Sequence, residues 1–183
     1  DIYCTEETSL RPISLYGKTK VNAEEILLGN RAGASLRFAT LFGISARMRL
    51  DLLVNDFVYR ALRDKSIVLF EGHFKRNYLH VRDAARALLF AVERYDQTCG
   101  SAFNVGMSDA NLSKLELCKY IQKFIPFEII QHETAKDPDQ RNYIISNEKI
   151  EKLGFRTNYT LEDGMLEIQR AYPYLRTVGF VNA

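Results

Sequence analysis

Two residues near the start of the chain have the types and spacing for acid–base chemistry: Tyr16 and Lys20, within SLYGKTKVNAEE (14–25). On a helix, residues four apart share one face, a turn apart. An ammonium beside a phenol favours the phenolate by opposite-charge attraction. One charge at about 4 Å supplies roughly 4 kcal/mol at an effective dielectric near 20. That is about what a phenol ionising near pH 10 in water needs to serve as a base near neutrality. The pair therefore suffices for general acid–base work on an alcohol. By its spacing alone it is a weak signal, since the chain is rich in both residues.

Other candidates each carry two readings. Arg76, in KRNYLHV, offers the paired donors that suit a phosphate, or is a surface arginine where a strand begins. His80 and Asp83 resemble a dyad, but Asp83 is more simply a cap whose carboxylate accepts first-turn amide protons of the following helix. The charges of RNYLHVRDAARA suit a solvated helix face better than a nucleic-acid patch.

The elements that position these residues follow from periodicity. Residues 5–15 are a loop, and Val21, Ala23, Ile26 and Leu27 have helical spacing from Tyr16 onward. SLRFATLFG (35–43) predicts one buried strand closed by glycine. Val54, Val58, Ala61 and Leu62 line one helical face within 51–64. Strand, glycine-containing turn and strand follow over 66–81, then a helix from Asp83. SAFNVG (101–106) and FEIIQHE (127–133) are strand-like, whereas 113–124 and two C-terminal segments are helical. Strands alternating with helices predict an α/β fold with a mainly parallel sheet. Residues 1–106 then form a main unit with insertions near 48–75, and 107–183 are mainly a smaller lobe.

Twenty-five basic against 23 acidic residues give a net charge of +2, too balanced to argue for nucleic acid or an anionic membrane. ALLFAV (87–92) is among the longest apolar runs, far short of a membrane span. The polar, acidic N-terminus is unlike a signal peptide. Cys4, Cys99 and Cys118 are scattered, as reduced thiols of a cytoplasmic protein, and no spacing suggests a metal site.

Five blocks in order carry a resemblance over nearly the whole chain: PISLYGKTK, SLRFATLFG, RNYLHVRDAARA, AFNVG, and DPDQRNYIISNEKIEKLGF followed by YTLEDG. Together they resemble the extended short-chain dehydrogenase/reductase family of nucleotide-sugar epimerases and dehydratases. The resemblance implies the C-terminal part of a doubly wound, Rossmann-like sheet with a small substrate-binding lobe. It implies NAD, with NADP as the alternative, a nucleotide-diphosphate sugar as substrate, and a homodimer. Tyr16 and Lys20 occupy the family's Tyr-x-x-x-Lys positions. Tyr16 is then the acid/base on a sugar hydroxyl, and Lys20 holds the nicotinamide ribose and favours the phenolate. Phe38, Ala39 and Thr40 match the lining of nicotinamide and sugar, with Thr40 where many members have Asn. Arg76 matches the arginine on the diphosphate. Leu52 and Leu53 match a helix start whose amides approach the nucleotide, though their side chains equally suit the core. Asn104, Asp139 and Arg141 match positions that meet phosphate or ribose.

The family's glycine-rich phosphate turn is not found among the ten glycines. The resemblance places that turn upstream of Asp1, in roughly 100–130 residues, about one mononucleotide-binding half. The expectation is an epimerase without its cofactor half. The alternatives are a nucleotide-sugar 4,6-dehydratase or reductase of the same family, or a non-catalytic nucleotide-binding or interaction module.

Overall fold

A computed structural model describes residues 2–31, 33–132 and 142–175. In chain order come β1 (Ile2–Cys4), α1 (Leu15–Gly29), β2 (Ser35–Phe38), β3 (Thr40–Phe42), α2 (Leu53–Arg63), β4 (Ser66–Phe70) and β5 (Lys75–His80). They are followed by α3 (Val81–Glu93), the short α4 (Tyr95–Thr98), β6 (Ala102–Val105), β7 (Asn111–Ser113) and α5 (Lys114–Gln122). β8 (Glu128–His132), β9 (Tyr143–Ile145), α6 (Glu148–Lys152), α7 (Leu161–Ala171) and a 3₁₀ turn (Tyr172–Tyr174) complete the order.

Four pairings are parallel: β1 with β9, β2 with β6, β3 with β5 and β4 with β8. Among the described residues β7 alone runs antiparallel, on β5. Parallel neighbours need crossovers, and helices supply them, so this is the α/β class that the alternation implies.

The stretch SLRFATLFG is not one strand. It breaks at Ala39, because β6 can follow only its first half: the Ala39 amide donates to the Val105 carbonyl at 2.9 Å, and Met107 then donates to Tyr78 on β5 at 2.9 Å. β3 thereby takes β5 as its neighbour, with Thr40 opposite Tyr78. Gly106 sits at this handover, where a Cβ would fall onto Oδ1 of the buried Asn77.

β2 lies between helices. Ser35 and Arg37 face α1, where the Glu24 carboxylate accepts from Arg37 Nε at 3.0 Å, Arg37 Nη2 at 2.6 Å and Ser35 Oγ at 2.6 Å. Leu36 points the other way, into a core with Ala84 and Ala87 of α3 and with Phe103, Ile150 and Phe155. The larger core gathers α2, α5 and α7 around Phe42, Ile67, Leu69 and Tyr78. Each core draws residues from both sides of Gly106.

Local chemistry sets the helix starts. Ser14 caps α1 by accepting from the Gly17 amide at 3.0 Å. Ser113 with Glu116, and Thr160 with Asp163, form capping boxes on α5 and α7. α3 differs from the sequence expectation, because β5 runs straight into it with no loop. His80 is the cap, its Nδ1 accepting from the Arg82 amide at 3.2 Å. Asp83 has another task. Its fully buried carboxylate accepts from the amides of Asn158 at 3.0 Å and Tyr159 at 2.9 Å and from Arg86 at 2.5 Å. It thus fastens α3 to the turn that leads into α7.

Candidate active site

Because α1 leads back into β2, its first turn lies at the C-terminal end of that strand, the end where open parallel sheets place their sites. Tyr16 is in that turn and 72% exposed. The Lys20 ammonium stands over the Tyr16 ring, 5.4 Å from its centroid, in cation–π geometry. The two side chains that sequence spacing brings together are therefore together, open to solvent, with the ammonium against the ring face. Thr19 donates back to the Tyr16 carbonyl at 2.8 Å, which steadies the turn.

Phe38, Ala39 and Thr40 occupy the break between β2 and β3. Phe38 is partly exposed and Ala39 buried. From the register of Thr40 with Tyr78, Arg76 lies on β5 at the level of Phe38. Arg76 is buried, donates to the Lys75 carbonyl at 2.8 Å, and stacks over the Tyr143 ring at 5.8 Å. It is no surface arginine. Asn104 is also buried: its amide nitrogen donates to the Ser146 carbonyl at 3.1 Å, and its backbone N–H donates to Glu6 at 2.8 Å. Asp139 and Arg141 lie outside the described residues.

Leu52 is the residue before α2 and offers no side-chain cap, so the helix's first-turn amides have no capping acceptor from it. Leu53 packs against the larger core, so any role in ligand contact falls to its backbone.

One residue that the sequence reading passed over organises this side. Asn55 is buried; it accepts from the Gly43 amide at 3.0 Å and donates to the Arg49 carbonyl at 3.0 Å. It clamps both ends of the loop between β3 and α2. An amide amid the apolar face Val54, Phe57, Val58 was the available signal. On that loop Arg49 grips Asp51 with two bonds, at 2.7 and 2.6 Å. The grip holds the Asp51 carboxyl below the usual carboxylate range. Arg49 is held more firmly protonated, chiefly by Asp51, with a smaller contribution from the Tyr16 oxygen. The loop thus brings a second cation into the field of Tyr16.

An α/β chain with parallel strands, and an exposed Tyr-x-x-x-Lys pair at a strand's C-terminal end, belongs to the class of Rossmann-like proteins. Residues 3–106 match the model of the NAD dependent epimerase/dehydratase family, and the chain belongs to that family. It is 28% identical over 174 residues to the dTDP-L-rhamnose 4-epimerase of Burkholderia thailandensis, covering 90% of this chain and 47% of that protein. It is 25% identical over 167 residues to a trifunctional UDP-glucose 4,6-dehydratase/3,5-epimerase/4-keto-reductase of Arabidopsis thaliana, covering 87% of this chain and 25% of that protein. The chain spans between a quarter and about half of these relatives. Among solved structures it resembles MoeE5 in complex with UDP-glucuronic acid and NAD (TM-score 0.77, 26% identity, 96% of this chain and 61% of that one). It also resembles the dTDP-glucose 4,6-dehydratase of Bacillus anthracis in complex with NAD (TM-score 0.78, 25% identity, 94% and 56%). Among the described residues no helix is long and apolar enough to cross a membrane.

Proposed function

We propose that this chain is the substrate-facing part of a NAD-dependent nucleotide-sugar epimerase, with Tyr16 as the acid/base. The observation that carries the reading is the exposed Tyr16–Lys20 pair, one turn apart at the C-terminal end of β2. The open phenol and ammonium fit the nicotinamide-ribose end of the cofactor; a pyrophosphate turn is not found among the described residues. When bound, NAD supplies the hydride acceptor and donor.

The chain's own residues do the rest. Tyr16 takes a proton from the sugar hydroxyl oxygen and later returns it, while Lys20 holds ribose hydroxyls. Phe38 and Ala39 wall the nicotinamide, and Thr40 meets the sugar. Arg76 anchors the diphosphate, with the backbone amides at Leu52 and Leu53 beside it. Asn104, Asp139 and Arg141 complete the nucleotide contacts. The intact enzyme is, in this reading, a cytoplasmic homodimer.

A 4,6-dehydratase or reductase uses the same pair, and the likeness to the Bacillus anthracis dehydratase supports keeping it as the second reading. A non-catalytic module binds a nucleotide sugar without turnover. The test is Tyr16→Phe in the intact enzyme, with product identified by NMR. Turnover slows roughly 10²-fold or more at nearly unchanged sugar-nucleotide affinity, as loss of general acid–base catalysis requires. Near-normal turnover removes Tyr16 from the chemistry. An epimeric product supports the epimerase, and loss of water from the sugar supports the dehydratase.

A further inference from the structure

α1 carries the Tyr16–Lys20 pair, yet packing does little to fix how the helix is turned on the sheet. None of its 15 residues is buried, and neither core takes a residue from it. Leu15 and Ile26 point into solvent, at 79% and 67% exposure. The inward side is a half-buried stripe of Gly17, Val21, Glu24 and Leu28. With a glycine and a carboxylate among its four members, that stripe gives an apolar core little to grip.

A polar clamp supplies what packing does not. Residues 16, 20 and 24 follow at four-residue steps, each about 40° further round the helix. Glu24 therefore lies on the side of the pair, at the margin of the inward stripe. Its carboxylate takes two nitrogens of Arg37, at 3.0 and 2.6 Å, and the Ser35 hydroxyl at 2.6 Å. Among the described residues it is the one side chain of α1 that bonds to a strand. A planar fork on a carboxylate fixes direction as well as distance. Arg37 reaches further: its remaining nitrogen donates to the Glu6 carbonyl at 3.0 Å, and the Glu6 carboxylate accepts from the Asn104 backbone N–H on β6 at 2.8 Å. One arginine, next in sequence to Phe38, thus holds both the body of α1 and the loop that enters it.

We propose that Glu24 is a positioning residue: through Arg37 and Ser35 it sets the turn of α1 on β2, and so aims Tyr16 and Lys20 at the end of that strand. The proposal rests on the reading of Tyr16 as the acid/base for what is aimed. Eight residues of helix put Glu24 about 12 Å from Tyr16 along the axis, so it acts through the backbone and touches no reacting atom. An ion pair that only added stability would leave the rate of folded protein untouched. One that aims the helix changes that rate, because a misplacement of about 1 Å at the reacting groups costs up to about 10²-fold.

Residual dipolar couplings of the Cα–Hα bonds of α1, measured on the 183-residue chain, read the helix orientation without turnover. In the wild type they fit one alignment frame with those of α3 and the strands. In Glu24→Ala those of α1 alone shrink, as the helix rocks on the sheet. In the intact enzyme Glu24→Ala lowers kcat about 10- to 100-fold at nearly unchanged KM for the sugar nucleotide. Glu24→Gln, which keeps the shape and one acceptor oxygen, loses less. Placed on Tyr16→Phe, Glu24→Ala costs less than about 3-fold, because the group it aims is gone. Three results overturn the proposal: unchanged α1 couplings, a kcat within about 2-fold of wild type in folded Glu24→Ala, or an undiminished cost on Tyr16→Phe. If Glu24→Ala does not fold, Glu24→Gln is read by the same three measurements. If Tyr16→Phe itself turns over normally, the acid/base reading falls, and the couplings still decide whether Glu24 holds the helix.

Discussion

Asp83→Ala removes a single acceptor that joins two distant segments. The carboxylate has no exposure and binds the Asn158 and Tyr159 amides and the Arg86 guanidinium. Hydrogen bonds to a charged group are worth about 1.5–3 kcal/mol each, and stripping one partner from a buried pair costs about 3–5 kcal/mol. Arg86 is 38% exposed and regains water when released, so the lower part of that range applies, about 3–4 kcal/mol. Asp83→Asn keeps one carbonyl oxygen but turns an N–H₂ toward donors, and loses about 2–3 kcal/mol. Arg86→Ala loses less, about 1 kcal/mol, since two amides still hold the carboxylate. The chain has no tryptophan, so urea unfolding is followed by far-UV circular dichroism. At a slope of roughly 2–3 kcal/mol per molar, the Asp83→Ala midpoint falls by about 1–2 M. A loss below about 1 kcal/mol, or Arg86→Ala costing more than Asp83→Ala, would refute the assignment of this carboxylate as the fastener.

Gly106→Ala drives a Cβ onto Asn77, whose amide also donates to the Met107 carbonyl at 2.7 Å; the unfolding free energy should fall by at least about 2 kcal/mol in the same assay. Burial pushes the Cys118 thiol up to about 12, so a thiol reagent at pH 8 should label Cys4 and Cys99 first and Cys118 only on unfolding. The Arg37 fork holds the Glu24 carboxyl below its usual range. Its folded value lies under its unfolded one, so its stabilisation is present above the unfolded value and is lost as pH falls through the folded one. Glu24→Gln should therefore flatten the loss of stability below about pH 4 in an acid titration.

Features held by local sequence were the legible ones. Val54, Val58 and Ala61 announce α2, because periodicity is a matter of neighbouring residues. Tyr16 and Lys20 were legible for the same reason: one helix sets their separation. β1 and β9 were not, since IYC and YII are too short to show a period and become strands only by pairing with each other. Nor was the break at Ala39, which is imposed by where β6 turns away. His80 and Asp83 both suit a helix start. What separates them is the demand of the Asn158 and Tyr159 amides, some 75 residues further on. Arg76 illustrates the same limit: its neighbours in sequence suggest a solvated strand end, while the fold seats it against Tyr143.

The pairing of β1 with β9 sets a timetable for synthesis. Ile2 finds its partner at Tyr143. A ribosome adding about 5–20 residues per second takes roughly 7–28 seconds to cover that separation. Throughout that interval β1 waits for β9, and a chaperone has that long to bind it. Slowing elongation between these strands lengthens the wait, whereas moving residues 2–4 to follow β9 in a rearranged gene abolishes it.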